Sequence, residues 1–449
     1  MNNYCEGYFR KLIPDSDRYY AHLSDQKNTC PELLPEHLTL TVLYAKKIVK
    51  QKGLDEVISH LIKELTGSNL DNRKNQLIHE MFWEAIAFHD LGKLNAEFQH
   101  SKMHNYQNLL KVRHHFGSEH SIISAYLYLS ITFHKILEGH FNDEEVLYLC
   151  NIALYMSYPI IRHHSARLGK CQDDEVWCNE KLFDLKPYLS LINLSISEDE
   201  TDFFHRNFLS NANFNALFDW YDSDCGVIRD YGFPLYALVR LCYSLLTASD
   251  YLATAHYMNA WKDTDINVGI IQEALRNKIT MQARQSKEYN EQVFQLLECG
   301  DFVPDKLLEK SNDNLNKLRT NLAYDALVKV RENPSKHLYY LEAPTGSGKT
   351  NVSMLVLSQL LSWDHRLNNV FYVFPFTALI DQTLQSLQTT LDLQNEEIAA
   401  IHSKSPINEN HDDNQYLNYL DQLFLNFPVT LLSHVKFFNI LTTNEKEGN

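Results

Sequence analysis

The run Ala343-Pro-Thr-Gly-Ser-Gly-Lys-Thr350 constrains this chain more than any other stretch. Its glycines let backbone N–H groups turn inward around an anion, and a helix starting at its end adds the positive pole of its dipole. Such a loop works only where a strand delivers the chain and a helix carries it away. The flanking residues have that pattern. A helix over Leu322–Arg331 leads to a short strand, His337–Leu341. After the loop come a helix over Val352–Leu361, an apolar strand at Val370–Phe374, a helix over Ala378–Leu391 and, past Pro428, a third apolar strand at Val429–Ser433. Strands alternating with helices predict a parallel sheet covered on both faces. Within the loop, Thr345, Gly346, Ser347 and Gly348 would cradle phosphate oxygens. Lys349 would meet the β and γ phosphates of ATP, and the Thr350 hydroxyl its Mg²⁺.

Ala343 stands where the general pattern has glycine, and this variant looks like the superfamily-two helicases. Phe374-Pro-Phe-Thr-Ala-Leu379 resembles their motif Ia, which contacts nucleic acid. Pro428–Phe438 resembles the segment ahead of their Walker B strand. No apolar strand ending in Asp-Glu follows Thr350, and Asp412-Asp413 lies in a polar stretch. The expectation is therefore an incomplete helicase that binds ATP weakly and does not turn it over. Arg319-Thr-Asn-Leu-Ala323 lacks the glutamine that reads adenine in many such helicases, which leaves base specificity open.

The first part of the chain reads differently. From about residue 35 to 260, apolar residues recur at helical spacing in Glu36–Lys50, Gln76–Phe88, Ser121–Leu137, Glu144–Met156 and Leu235–His256, with Gly, Pro and Asn mainly between them. Residues 261–318 are more polar and are broken by Gly300 and Pro304. The expected organisation is a multidomain chain: an all-helical domain over 1–260, a helical linker over 261–318, and an incomplete α/β RecA-like domain over 319–449.

The helical part carries the metal chemistry. His89-Asp90-Leu-Gly-Lys93 closes a helix, where an imidazole nitrogen and a carboxylate can reach one ion and Gly92 permits a sharp exit. His37 lies in an upstream helix, His120 opens another, His163 and His164 follow an apolar run, and Asp250 sits in an otherwise apolar helix. A lone carboxylate buried there is costly, so Asp250 needs a cationic partner, and a metal is one. Trp83, Phe98, Tyr106 and Phe116 are candidate stacking platforms, although aromatics at helical spacing more often belong to the core. His22 reads as structural, and His100, His104, His114 and His115 as exposed or DNA-facing.

These stretches, in this order and spacing, resemble the type I CRISPR-associated nuclease-helicases. The matching runs are Ala21-His-Leu, Glu36-His37, His89–Lys93, His120–Ala125, Arg162-His-His164, Ala248-Ser-Asp250 and the phosphate loop. The resemblance implies an all-α HD-type metal-dependent phosphohydrolase domain and a partial helicase domain. It implies that His37, His89, Asp90, His120, His163, His164 and Asp250 ligate two divalent transition metals, with Lys93 beside the scissile phosphate. Asp90 is the natural bridge. Histidine-rich ligation favours Mn, Fe, Co or Ni over Mg or Ca. The implied reaction is hydrolysis of single-stranded DNA from the displaced strand of an R-loop, alongside a crRNA-guided multisubunit surveillance complex.

The net charge of −16 excludes non-specific coating of nucleic acid and favours a local DNA path supplied by a partner complex. Eight cysteines without a CxxC pair, no secretory signal and no membrane-length apolar run point to a cytoplasmic protein with reduced thiols. Two other readings compete: a nucleotide phosphohydrolase of the broader HD superfamily, and an inert fragment docking on the surveillance complex.

Overall fold

The computed structural model describes residues 4–24, 29–67, 72–165, 180–194, 232–300, 314–401 and 423–442, together with residues 168, 202, 303, 311 and 421. His402 and Asp412-Asp413 lie outside the described residues. The chain divides into two compact units, one over Met1–Ile266 with Thr443–Asn449 and one over Asn267–Thr442.

The first unit is helical. It contains α1 (Glu6–Leu12), α2 (Leu34–Lys52), α3 (Leu54–Thr66), α4 (Asn72–Ala87), α5 (Ala96–Ser101), α6 (Ser121–Glu138), α7 (Asp143–Arg162) and α8 (Gly232–Met258). A 3₁₀ turn, Leu91–Leu94, follows α4. Two short antiparallel strands, β1 (Tyr20–His22) and β2 (Glu32–Leu33), sit before α2. Local chemistry sets the helix ends. Asn142 accepts from the Glu145 N–H at 3.0 Å while Glu145 accepts from the Asn142 N–H at 3.2 Å, a reciprocal cap on α7. Helix α6 buries a long apolar run from Ile123 to Ile136 against α7. Helix α8 packs on α2, α3, α4 and α7, which makes it the central member. Helices α2, α4, α6, α7 and α8 thus bring residues to one place, where the candidate ligands cluster.

The second unit holds a parallel sheet in the order β3 (Val370–Phe374), β5 (Val429–Ser433), β4 (Ile398–Ile401). Val370 pairs with Val429, and Ile398 with Val429 on the other side. Strand β5 is central and buried except at its last residue. Helices α9 (Glu273–Gln285), α10 (Glu288–Cys299), α11 (Leu315–Glu332), α12 (Lys349–Trp363), α13 (Thr377–Leu391) and α14 (His434–Thr442) complete the unit.

Three expectations differ from this architecture. His337–Leu341 is not a strand: Leu338 is 88% and Tyr340 87% exposed, and the segment makes no sheet pairing. An isolated strand has nowhere to place its backbone hydrogen bonds. Sheet coverage is incomplete on edge strand β3, whose Phe371 and Val373 are exposed. Strand β4 was not foreseen, because Ile398-Ala-Ala-Ile401 is short and weakly β-forming.

The stretch read as a linker also contributes to a core. Ile271, Leu275, Ile279, Ala283, Val293 and Phe294 are buried with Val352, Leu355 and Leu387 of the second unit. Its polar look comes from the outer faces of α9 and α10. Arg276, inside α9, is 4% exposed and donates to the carbonyls of Leu361 (2.6 Å), Asp364 (3.2 Å), His365 (3.1 Å) and Leu367 (2.7 Å). These lie at and beyond the C-terminal turn of α12, where carbonyls lack helical partners. At the other end, Asn290 of α10 and Asn351 of α12 exchange side-chain hydrogen bonds at 3.3 and 2.7 Å. Helices α9 and α10 therefore clamp both ends of the helix that follows the phosphate loop. Arg276→Ala is expected to leave the buried Leu361 carbonyl without its donor, at a cost of roughly 1–3 kcal/mol. Hydrogen exchange of the α12 amides in the full chain should accelerate at least tenfold, while the α6 amides stay as they were.

Candidate metal centre

Four helix ends and one helix interior deliver the ligand set. His89 and Asp90 come just after α4, where the helix gives way to the 3₁₀ turn. His163 caps the end of α7. Each of these histidines meets a carbonyl three residues back: His89 Nδ1 lies 2.9 Å from Ile86 O, and His163 Nδ1 2.6 Å from Ile160 O. The unpaired last carbonyls of a helix take the Nδ1 proton, so the lone pair is left on Nε2, facing inward. His120 is the N-cap of α6, His37 sits in the first turns of α2, and Asp250 is in the middle of α8.

The inward atoms form two groups that share Asp90. His37, His89, Asp90 and Asp250 form one, all buried, and Asp90, His120, His163 and His164 the other. Within each, the ligand atoms all lie within 4.8 Å of one another. Asp90 Oδ2 faces the first group, 3.3 Å from His37 Nε2 and 3.4 Å from His89 Nε2. Its Oδ1 faces the second, 3.1 Å from His120 Nε2 and 3.5 Å from His163 Nε2. Asp250 Oδ1 closes the first group at 3.2 Å from His37 Nε2 and 3.6 Å from His89 Nε2. His120 Nε2 and His164 Nε2 are 3.0 Å apart. His164 is exposed and His120 half-buried, so the second group opens to solvent while the first does not.

Two observations indicate that these residues suit a cation. First, His37 Nε2, His89 Nε2, His163 Nε2 and both Asp90 oxygens are buried and make no aligned hydrogen bond. Buried polar atoms left this way are costly unless another partner takes them. Second, the electrostatics demand positive charge. Burial disfavours a charged His37, yet Glu32, Asp250 and Asp90 raise its pKa well above the ordinary imidazole value. Burial likewise opposes ionised Asp90, but Lys93, His89, His120 and His163 hold it well below the carboxylate range. Burial pushes His164 down to about 3, with His163 adding to the effect, and lowers His120, which leaves both neutral and able to ligate.

Lys93 is 3% exposed, and its ammonium is enclosed by three partners, one of them in an ion pair. Its Nζ lies 2.7 Å from Asp90 Oδ2, 3.1 Å from Ala21 O and 3.2 Å from His22 Nε2. Gly92 makes this packing possible: a Cβ there would stand 1.9 Å from His120 O and 2.7 Å from Ser124 N. Its N–H donates to Ser124 Oγ at 2.8 Å.

The sequence reading missed Glu32, which forms a third group with His22 and His37. Its only signal was position, on a two-residue strand just ahead of His37. Of the candidate stacking rings, Trp83 is in the core, as helical spacing more often means, and Phe98 is buried edge-on to His120 at 4.9 Å between ring centres. Tyr106 is exposed and Phe116 half-buried. His100, His104 and His115 are exposed, whereas His114 bonds to the Tyr188 hydroxyl at 2.8 Å.

In the second unit the phosphate loop precedes α12. Gly346 and Gly348 have φ of 81° and 90°, backbone that side chains rarely adopt, and Gly348 is the N-cap. Lys349 and Thr350 open the helix, exposed, with Lys349 Nζ 2.8 Å from Ala343 O. Arg319 of α11 donates to Gly346 O at 3.4 Å.

Comparison with known proteins places the second unit first. Residues 308–441 match the model of the type III restriction enzyme res subunit, which marks a superfamily-two-like helicase region. No curated protein matches. A solved structure of T. fusca Cas3 with ADP is similar at 14% identity and a TM-score of 0.41, over 93% of this chain and 43% of that one. The chain thus spans less than half of that relative's length. No described helix is long and apolar enough to cross a membrane.

Gly92→Ala tests how the centre is assembled. The added methyl must push α6 away from the 3₁₀ turn, at a cost of roughly 3 kcal/mol. Urea unfolding should report that loss, and metal retention at the His120 group should weaken more than at the His37 group.

Proposed function

We propose that the chain is a metal-dependent hydrolase that cuts phosphodiester bonds of single-stranded DNA. In this reading it serves type I CRISPR interference in the cytoplasm, with a crRNA-guided complex delivering the displaced strand. The observation that carries the reading is Asp90, one buried carboxylate whose two oxygens face two separate histidine groups. That arrangement suits a pair of ions sharing one bridge, a donor set characteristic of phosphoryl transfer. Histidine-rich groups favour Mn, Fe, Co or Ni.

His37, His89, Asp90 and Asp250 would hold one ion, and Asp90, His120, His163 and His164 the other. When bound, such ions lower the pKa of a water and neutralise charge gathering on the phosphoryl oxygens. The chain's own residues do the rest. His89 and His163 are held by helix-end carbonyls, so their Nε2 lone pairs need no reorganisation. Lys93 balances Asp90 and keeps it ionised beside the reacting phosphate. The exposed side at His120 and His164 is where a single strand would enter. In the second unit, Thr345, Gly346, Ser347, Gly348, Lys349 and Thr350 would hold the phosphates of ATP with Mg²⁺, at the N-terminus of α12.

A phosphohydrolase acting on free nucleotides would use the same metal pair. The match of residues 308–441 to a helicase-type model favours a nucleic acid instead. The test is cleavage of circular single-stranded DNA by the Mn- or Co-loaded chain without ATP, set beside a panel of nucleotides. Asp90→Asn should lose about 4 kcal/mol of transition-state stabilisation, roughly a thousandfold in rate. Nucleotide hydrolysis without DNA cleavage, or DNA cleavage surviving in Asp90→Asn, sinks the reading.

A further inference from the structure

Behind the first histidine group lies a pair of side chains that the metal chemistry does not use. Strands β1 and β2 exist for only a few residues, and their register puts His22 opposite Glu32. His22 Nδ1 is 2.7 Å from Glu32 Oε2, and His37 Nδ1 is 3.4 Å from the same oxygen, an electrostatic contact without hydrogen-bond alignment. On its other side His22 Nε2 lies 3.2 Å from Lys93 Nζ. An ammonium only donates, so His22 Nε2 must accept. Its proton is then on Nδ1, and Nδ1 donates to Glu32. The tautomer follows from the contacts alone. Glu32 is 4% exposed and, among the described residues, pairs with two imidazoles and with no lysine or arginine.

The strands are themselves tied down. Gln99, fully buried in α5, accepts from Tyr20 N–H at 3.0 Å and donates to Tyr20 O at 2.8 Å and to Lys93 O at 2.8 Å. One side chain thus fixes both β1 and the turn that carries Lys93.

We propose that Glu32 and His22 are positioning residues that tie the first ligand group to the Lys93 turn: Glu32 holds His37 with Nε2 toward Asp90 and Asp250, and His22 hands the same constraint on to the Lys93 ammonium. This rests on the nuclease reading above. A carboxylate behind a ligand histidine fixes its ring and raises its basicity, and losing such a partner costs about 10–100-fold in metal affinity or activity. The rival for these atoms is a third ion held by His22, Glu32 and His37. Lys93 argues against it, because its ammonium already occupies the far nitrogen of His22 and supplies the positive charge.

The experiment uses the full chain, stripped and reloaded with Co²⁺. It reads three things: ions retained after dialysis, affinities by competition with a chromophoric chelator, and the visible Co²⁺ spectrum. Wild type should keep two ions. Glu32→Gln should weaken one of them about 10–100-fold with a changed visible band, and leave the other alone. His22→Ala should keep both affinities and lower kcat for single-stranded DNA without raising KM. If Glu32→Gln keeps wild-type affinities and spectrum, the proposal is overturned. It is also overturned if wild type keeps three ions and the variant two, since His22, Glu32 and His37 are then ligands. Should apo Glu32→Gln lose its cooperative melting transition, His22→Ala decides, and an unchanged kcat there overturns the proposal. A wild type that takes up no ion removes the nuclease reading itself, a result separate from the others.

Discussion

One buried carboxylate organises the first unit. Asp90 is 1% exposed, and taking a lone carboxylate out of water costs far more than any one contact returns. The surrounding chain is arranged to prevent it from being alone. Lys93 comes back within one turn to meet Oδ2, and two groups of imidazoles face the two oxygens. Helix ends do this more readily than helix middles. A helix C-terminus offers unpaired carbonyls that orient His89 and His163, and the exit after α4 lets His89, Asp90 and Lys93 all point one way. Gly92 follows from the same demand: only a residue without Cβ lets the start of α6 approach closely enough to place His120 on Oδ1.

The sequence shows such a centre where the chemistry leaves an adjacent pair or an anomaly. His89-Asp90 and His163-His164 are adjacent pairs at helix ends, and Asp250 is a charge in an apolar helix. The structure brings all three into contact range of one another's groups. Glu32 left no such mark. A glutamate near an Asn, Cys and Pro reads as surface, and only the cross-strand register with His22 buries it. For Trp83 and Phe98 the helical spacing favoured the core, and there the rings are buried. A hydrophobic pattern reports that a side chain is buried; it does not report against what.

The second unit was legible to a different extent. Strands at Val370–Phe374 and Val429–Ser433 and the helices between them followed from apolar runs of the right length. The segment ahead of the phosphate loop did not follow. Its apolar residues Leu338 and Tyr340 are exposed, so composition promised a strand that no neighbouring strand pairs with. Helices α9 and α10 failed for the opposite reason. Each buries only a narrow stripe, so charged outer faces hid the Arg276 and Asn290 contacts that hold α12 at both ends. What positions the phosphate loop is therefore written partly in residues that look like a connector.

Charge links the centre to the whole chain. Around the first group, among the described residues, stand three carboxylates, Asp90, Asp250 and Glu32, against a single ammonium, Lys93. Without ions, His37 takes up a proton that offsets part of this charge; once its imidazole gives up that proton to ligate, the carboxylates exceed the ammonium by two. A phosphodiester would be repelled by that excess, and by the surrounding protein at a net −16. Two divalent ions reverse the local sign and make the centre a positive point in a negative field. On the proposed reading the ions thus select where an anionic strand can settle as well as supplying chemistry. Among the described residues, the half-open second group, at His120 and His164, is where that reversed charge reaches solvent. A chain arranged this way gains little from long-range attraction to DNA. Its selectivity has to come from a strand brought to that opening.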